Sequence, residues 1–265
     1  MTIFALASYL ATGAAAGVLA GLLGIGGGVV IVPVLILVFS QQGLVAEWAP
    51  HLAVGTSLTT IVGTGAAAVR AHHRRRAVRW GLVRTLAPGI VVGAWIGALV
   101  AGVLPADWLR RVFALFLVLV GVQMLVDRSV PGGQGTLPSK AGLLAAGTGI
   151  GALSSLVGIG GGSLTVPFLA RAGVDLRAAV ATSSACGVPL ALAGAIGFAV
   201  VGLGRTDLPA LTTGFIYWPA VVCIWLTSLP AAPLGARLAH NLPVALLKRL
   251  FAVLLLGVAA RLLAG

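Results

Sequence analysis

Two glycine runs in this chain have the spacing to bind a small anion. The stretch from Leu22 to Pro33 reads LLGIGGGVVIVP, and nearly the same string returns from Leu156 to Pro167 as LVGIGGGSLTVP. Each run breaks a helix within apolar sequence and leaves backbone N–H groups without intrahelical partners, where water cannot satisfy them. Because a helix N-terminus also carries about half a unit of positive charge, we predict that these amides hold an anion. The predicted donors are the amides of Gly26, Gly27, Gly28, Gly160, Gly161 and Gly162.

Hydroxyl side chains cluster beside both breaks and extend the predicted site. A hydroxyl can donate a hydrogen bond to an oxyanion without burying a second charge. The same hydroxyl can instead bond to its own backbone, as Ser and Thr in membrane helices often do. The hydroxyls assigned to substrate binding are those of Thr56, Ser57, Ser163, Thr182 and Ser183. The wider cluster also includes Ser154, Ser155, Thr165 and Ser184.

The acidic residues and histidines argue against other chemistries. All 5 acidic residues fall in connections or at segment ends, so no carboxylate stands at mid-membrane to bind a cation or relay protons. The 4 histidines form no HExxH or other metal spacing, and no nucleophile–base set can be assembled. The glycine runs also lack the GK[ST] ending of a nucleotide-binding loop. We therefore expect no metal, no cofactor and no enzymatic activity. Because the Lys and Arg residues lie almost wholly in the short connections between apolar stretches, we also expect no nucleic-acid partner.

Composition places these residues in a membrane. The 265 residues are 59% hydrophobic and 8% charged, whereas soluble domains are about a quarter charged. Several apolar stretches exceed the roughly 17 to 25 residues of a spanning helix, and the polar segments between them are short. We predict an all-α, polytopic integral membrane protein with a single membrane domain over residues 1–265. Cys186 and Cys223 are isolated and are interpreted as packing residues.

The chain is an internal duplication. AVGTS at Ala53 matches AVATS at Ala179, and the segment from Gly97 aligns with the segment from Gly235. Together with the glycine runs, these form three matches in one order, which is the signature of a repeat. We assign residues 1–127 to the first repeat, 128–140 to a linker and 141–265 to the second repeat.

Charge distribution favours halves of opposite orientation. The Arg-rich connection from Arg70 to Arg79 is expected on the cytoplasmic side. If each half crosses the membrane four times, the 17 Lys and Arg residues divide ten inside to seven outside; if each glycine segment is a hairpin, they divide thirteen to four. The positive-inside rule therefore favours an inverted repeat. Each half then begins with a glycine-broken segment, which is either re-entrant or crosses fully with both legs.

The doubled LLGIGGGVVIVP motif, AVGTS and the P-G-x-x-x-G-x-x-x-G run from Pro88 resemble the TauE/SafE sulfite exporter family over nearly the whole chain. The resemblance implies a bacterial inner-membrane permease, a secondary transporter without ATP-binding parts. It also implies small anionic substrates: sulfite, sulfonates, thiosulfate, sulfate or related organic anions. The same run places Gly89, Gly93 and Gly97 four residues apart, a spacing that allows helices to approach closely.

These observations predict a secondary transporter, an exporter by resemblance, that moves a small sulfur-containing anion across the lipid bilayer by alternating access. Homodimerisation through small-residue faces is a further possibility. The alternative is a non-transporting membrane subunit or assembly factor whose glycines only pack helices. Two glycine tips packed against neighbouring side chains, with no void between them, would argue against the binding site.

Overall fold

The computed structural model describes residues 2–23, 26–43, 47–126, 135–238 and 244–264. Within these ranges the regular secondary structure is helical, apart from one antiparallel pair of two-residue strands between two helices. The first half contains α1 (Ile3–Leu23), α2 (Gly28–Gln41), α3 (Ala49–Arg74), α4 (Trp80–Val103) and α5 (Ala106–Val126). The second half contains α6 (Lys140–Val157), α7 (Gly162–Arg171), α8 (Leu176–Val201), β1 (Thr212–Thr213), β2 (Ile216–Tyr217), α9 (Trp218–Leu238) and α10 (Val244–Ala264). Gly24, Ile25 and residues 128–134 of the predicted linker lie outside the described ranges.

Both glycine runs break the chain into two helices, as predicted. Gly27 precedes α2 with φ 74° and ψ −14°, and Gly161 precedes α7 with φ 74° and ψ −11°. This left-handed conformation costs an L-residue about 1–2 kcal/mol, which explains why glycine stands at both positions. The two breaks therefore share one backbone geometry.

The helices after the breaks are short. Among the described residues, 6 helices are long and apolar enough to span a membrane, namely α1, α3, α4, α6, α8 and α9. The 14 residues of α2 extend about 21 Å, whereas the hydrocarbon core is about 30 Å thick. With 10 residues, α7 is shorter still. Each broken segment thus has one leg of spanning length and one leg too short to cross alone.

Two glycine-lined seams join the halves. α1 packs along α9, and α4 packs along α6. A Cβ atom on Gly17 of α1 would lie 2.5 Å from the carbonyl oxygen of Ser228, and one on Gly93 of α4 would lie 2.0 Å from that of Thr148. Because no side chain fits there, the helix backbones are in direct contact, as the four-residue glycine spacing predicted.

α3 and α8 lie at the centre and run in opposite directions. A Cβ atom on Gly55, near the start of α3, would lie 3.1 Å from the Cβ of Phe198 near the end of α8. One on Gly65, farther along α3, would lie 3.4 Å from Val188, which is earlier in α8. The sequence alignment makes α3 and α8 equivalent helices of the two repeats. Antiparallel equivalent helices are what an inverted repeat requires, and the inverted repeat itself stays a prediction.

Candidate functional site

The two glycine breaks contact each other at the middle of α3. A Cβ atom on Gly26 would lie 3.0 Å from the Cα of Gly160, and one on Gly28 would lie 2.4 Å from the carbonyl oxygen of Gly158. Both glycines also lie beside Ile61, which is halfway along α3. The structure therefore brings the two predicted sets of glycine amides together from opposite halves.

The space left between the breaks is small. It has a volume of about 10 Å³, which is roughly the minimum that holds one water molecule. The residues around it are Ala20, Gly26, Ile61, Gly65, Ala68, Gly160, Ser184 and Gly187. A sulfur oxyanion has several non-hydrogen atoms and is larger than this gap. The breaks are thus closed against each other, and an anion can enter only if they separate.

Each short helix begins with amides that its own backbone does not use. In α7, the N–H groups of Leu164 and Thr165 both donate to the carbonyl of Gly161, at 3.1 and 2.8 Å. The preceding amides of Gly162 and Ser163 come too early in the helix to have an intrahelical acceptor. Neither Gly27 nor Gly161 provides a side-chain cap for its helix. α2 begins in the same way, with Val30 and Ile31 donating to Gly27.

Two of the predicted hydroxyls hold the opposite half of the protein. Thr56 Oγ1 accepts the N–H of Tyr217 at 3.0 Å, immediately before α9 begins. Thr182 Oγ1 accepts the N–H of Arg79 at 3.1 Å, immediately before α4 begins. The two threonines are matched by the repeat alignment, and both are fully buried. In this conformation the two threonines stabilise contacts between the halves by accepting these backbone N–H groups.

Ser57 also contributes to contact between the halves. Its hydroxyl donates to the carbonyl oxygen of Gly158 at 2.8 Å, at the C-terminal cap of α6. This bond satisfies a carbonyl that the second glycine break would otherwise leave unpaired. Ser183 is buried at the matching position of α8.

Three buried hydroxyls near the second break have no hydrogen-bond partner. They belong to Ser154, Ser155 and Ser163, and the exposed fractions of these residues are 0%, 0% and 7%. Ser163 is a predicted site residue, and the other two belong to the wider hydroxyl cluster. A Cβ atom on Gly161 would lie 3.6 Å from both Ser154 Oγ and Thr165 Oγ1. The second break is therefore lined with hydroxyl groups.

An aromatic cluster at the N-terminal end of α3 was not predicted. Trp48 Nε1 donates to Asp207 Oδ2, and the Arg205 guanidinium lies 4.1 Å from the centre of the Trp48 ring. The Nε2 atom of buried His51 lies 3.0 Å from the carbonyl oxygen of Ala101 and 3.2 Å from that of Leu104. No local spacing links Trp48 to Arg205 and Asp207, which lie more than 150 positions away along the chain.

Arginines lie at the opposite end of α3. Arg75 Nη1 donates to the carbonyl oxygen of Ala236 at the end of α9, at 3.2 Å. This contact places the Arg-rich connection after α3 beside Arg237. The positive-inside rule predicts that this is the cytoplasmic end. Across the described ranges, no group of three or more His, Cys, Asp or Glu residues is arranged to hold a metal ion.

The chain matches one protein family over nearly its whole length. The family model described as sulfite exporter TauE/SafE matches residues 9–262. A probable membrane transporter protein of Haemophilus influenzae is 39% identical over 252 residues, covering 94% of this chain and 95% of the relative. A probable membrane transporter protein of Methanocaldococcus jannaschii is 28% identical over 219 residues, covering 82% of this chain and 78% of the relative. No solved structure matches the chain.

The chain belongs to the TauE/SafE family. It is a multi-pass membrane transporter. The family match confirms the resemblance, and the 6 spanning-length helices among the described residues confirm the predicted all-α membrane fold and the membrane location. Such a protein takes a small-molecule substrate within a lipid environment.

Proposed function

We propose that this protein is a secondary transporter of small sulfur oxyanions, such as sulfite or a sulfonate, and that the anion binds where the two glycine breaks meet. The observation that supports this proposal most directly is that two uncapped helix N-termini, those of α2 and α7, lie together at the contact between the halves. Such termini favour negative charge through free amides and the helix dipole. The family description, sulfite exporter, supports both the substrate class and export.

The distribution of acidic residues supports an anion over a cation. Glu47, Asp107, Asp175 and Asp207 lie outside the spanning helices or at a helix start, and Asp127 lies outside the described ranges. A transported cation would need a buried carboxylate or several inward-facing carbonyls to replace its water shell. Amide and hydroxyl donors surround the breaks instead, and these are the groups that an oxyanion accepts from.

The two threonine contacts support alternating access as the transport mechanism. Thr56 lies in the second turn of α3 and Thr182 in the second turn of α8, and these helices are antiparallel. The Thr56–Tyr217 and Thr182–Arg79 bonds therefore lie toward opposite ends of the protein. Breaking one bond while keeping the other would separate the halves at one end only. The closed breaks represent the state between the two openings.

The rival function, a membrane subunit or assembly factor without transport activity, is supported by the tight glycine packing of both seams and by the small gap between the breaks. It predicts a permanently closed structure. Homodimerisation stays a prediction in either case.

Flux into liposomes separates these two functions. Purified protein is reconstituted, and uptake of radiolabelled sulfite is measured against protein-free liposomes, with sulfoacetate, thiosulfate, taurine and lactate as competitors. We expect saturable uptake of sulfite. Sulfoacetate or thiosulfate should reduce this uptake, and lactate should reduce it less. Uptake equal to that of protein-free liposomes for every oxyanion would favour the rival.

A further inference from the structure

The hydroxyls of the second break differ from the other buried hydroxyls of the spanning helices. Thr59 Oγ1 donates to the carbonyl of Gly55 at 2.9 Å, and Ser184 Oγ donates to that of Val180 at 3.0 Å, each four residues back along its own helix. Ser154 in α6 has the same option, yet its hydroxyl has no partner. A hydroxyl buried without a hydrogen bond destabilises the folded protein, so a ligand that accepts from it recovers that free energy.

Two of the three unpartnered hydroxyls, those of Ser154 and Ser163, belong to residues beside or within the start of α7. Ser154 Oγ and Thr165 Oγ1 both lie 3.6 Å from the point where a Cβ of Gly161 would stand. Ser163, also unpartnered, is the second residue of α7, beside the amides that the helix leaves free. Side-chain and backbone donors therefore surround one helix N-terminus.

The first break has none of these side chains. The glycine alignment, in which Gly27 matches Gly161, places Ala20 opposite Ser154, Val29 opposite Ser163 and Ile31 opposite Thr165. All three first-half residues are buried and apolar. Packing needs alone do not require hydroxyls at these positions, because the first half forms the same backbone geometry with Ala, Val and Ile.

We propose that the second break alone holds the substrate oxyanion, through the hydroxyls of Ser154 and Ser163 and the first amides of α7. The inference rests on the proposed function, since it names which half binds the anion. It predicts one anion per protein chain and unequal effects of equivalent substitutions in the two halves.

Equilibrium binding of radiolabelled sulfite to the purified full-length protein tests this asymmetry. We expect Ser154→Ala and Ser163→Ala each to weaken binding at least about tenfold, since a hydrogen bond to a charged group is lost. Ser163→Thr keeps the hydroxyl and should stay within about threefold of the wild type. Val29→Ala, the first-half match of Ser163→Ala, should also stay within about threefold. Thr59→Val controls for loss of a buried hydroxyl that is already bonded to its own helix.

The outcomes separate the inference from the proposed function. If Ser154→Ala and Ser163→Ala bind sulfite as the wild type does, the second break is not the site, although transport stands. If Val29→Ala weakens binding as much as Ser163→Ala, both breaks bind and the asymmetry is wrong. If the wild type binds none of sulfite, thiosulfate and sulfoacetate, the proposed function fails and the inference fails with it. Thermal unfolding of each variant shows whether the protein remains folded.

Discussion

The two glycine breaks have the same backbone and different surroundings. Gly27 and Gly161 differ by 3° in ψ and not at all in φ, and each precedes a helix too short to cross the membrane. Beside the first break stand Ala20 and Val29, whereas Ser154 and Ser163 stand at the equivalent places in the second. Duplication has therefore kept the geometry that makes a helix N-terminus available, while the hydrogen-bonding side chains are present in one copy only.

The largest expected effect is a loss of stability when a side chain is added to a glycine that both halves use for close helix packing. Gly17 in α1 and Gly151 in α6 are equivalent, and a Cβ would lie 2.5 Å from Ser228 O or 2.2 Å from Ile90 O. Gly17→Val and Gly151→Val should each destabilise the protein by upwards of about 3 kcal/mol, because a backbone neighbour cannot move aside. Thermal unfolding in detergent measures this loss.

Gly149→Val is the matched control for that pair. Gly149 is in the same helix as Gly151, but a Cβ there meets nothing within 4 Å. Its unfolding temperature should stay near that of the wild type. Equal losses in Gly149→Val and Gly151→Val would show that the seam between α4 and α6 is not what makes glycine necessary.

The second prediction compares the breaks directly. Gly27→Ala should cost about 2–4 kcal/mol, because the left-handed backbone is strained and the new Cβ would lie 2.7 Å from the carbonyl oxygen of Ala16. Gly161→Ala should cost about 1–2 kcal/mol, because the one atom that crowds its new Cβ is the flexible end of Leu190, at 2.9 Å. Unfolding temperatures in the opposite order would contradict the packing described for the two breaks.

The third prediction tests the symmetric contacts between the halves. Thr56→Val and Thr182→Val each leave a backbone amide without its acceptor, that of Tyr217 or Arg79. Each substitution should destabilise the closed state by about 1–2 kcal/mol. Single-molecule or pulsed-EPR distances between labels at the two ends should shift toward opening at the substituted end. A similar change at both ends would argue against independent opening.

The smallest effect is expected at the unpredicted aromatic cluster. Trp48→Phe keeps an aromatic ring but removes the N–H that donates to Asp207. Because Asp207 is exposed, the loss should be about 0.5–1 kcal/mol. Trp108→Phe, at an exposed tryptophan without such a bond to another described side chain, serves as the reference. A larger loss for Trp108→Phe would remove any stabilising role for the cluster.

Much of the fold could be predicted because a membrane helix is recognisable from its local amino-acid composition. The apolar runs predicted the spanning helices, and the doubled glycine run with Pro33 and Pro167 predicted the two broken segments. The alternatives for those segments could not be separated from sequence. In the structure α2 and α7 are each shorter than a spanning helix, and the path of the two segments through the membrane stays a prediction.

The site could be predicted less completely, because its contacts join residues far apart in sequence. The glycines of both breaks do meet, but Thr56 and Thr182 bind backbone amides 161 and 103 residues away. No local pattern reveals such partners. Ser154, on the other hand, belonged to the predicted hydroxyl cluster, and only the structure shows that its hydroxyl is unpaired.

Sulfite flux through Gly161→Leu in proteoliposomes tests the central claim most directly. The Cβ of this leucine would lie 3.6 Å from Ser154 Oγ and Thr165 Oγ1, so we expect its side chain to fill space beside the proposed anion donors. With Gly149→Leu as the control on α6, we predict that flux through Gly161→Leu falls to the level of protein-free liposomes while the protein remains folded in thermal unfolding. Flux through folded Gly161→Leu equal to that of the wild type would contradict anion binding at the glycine breaks.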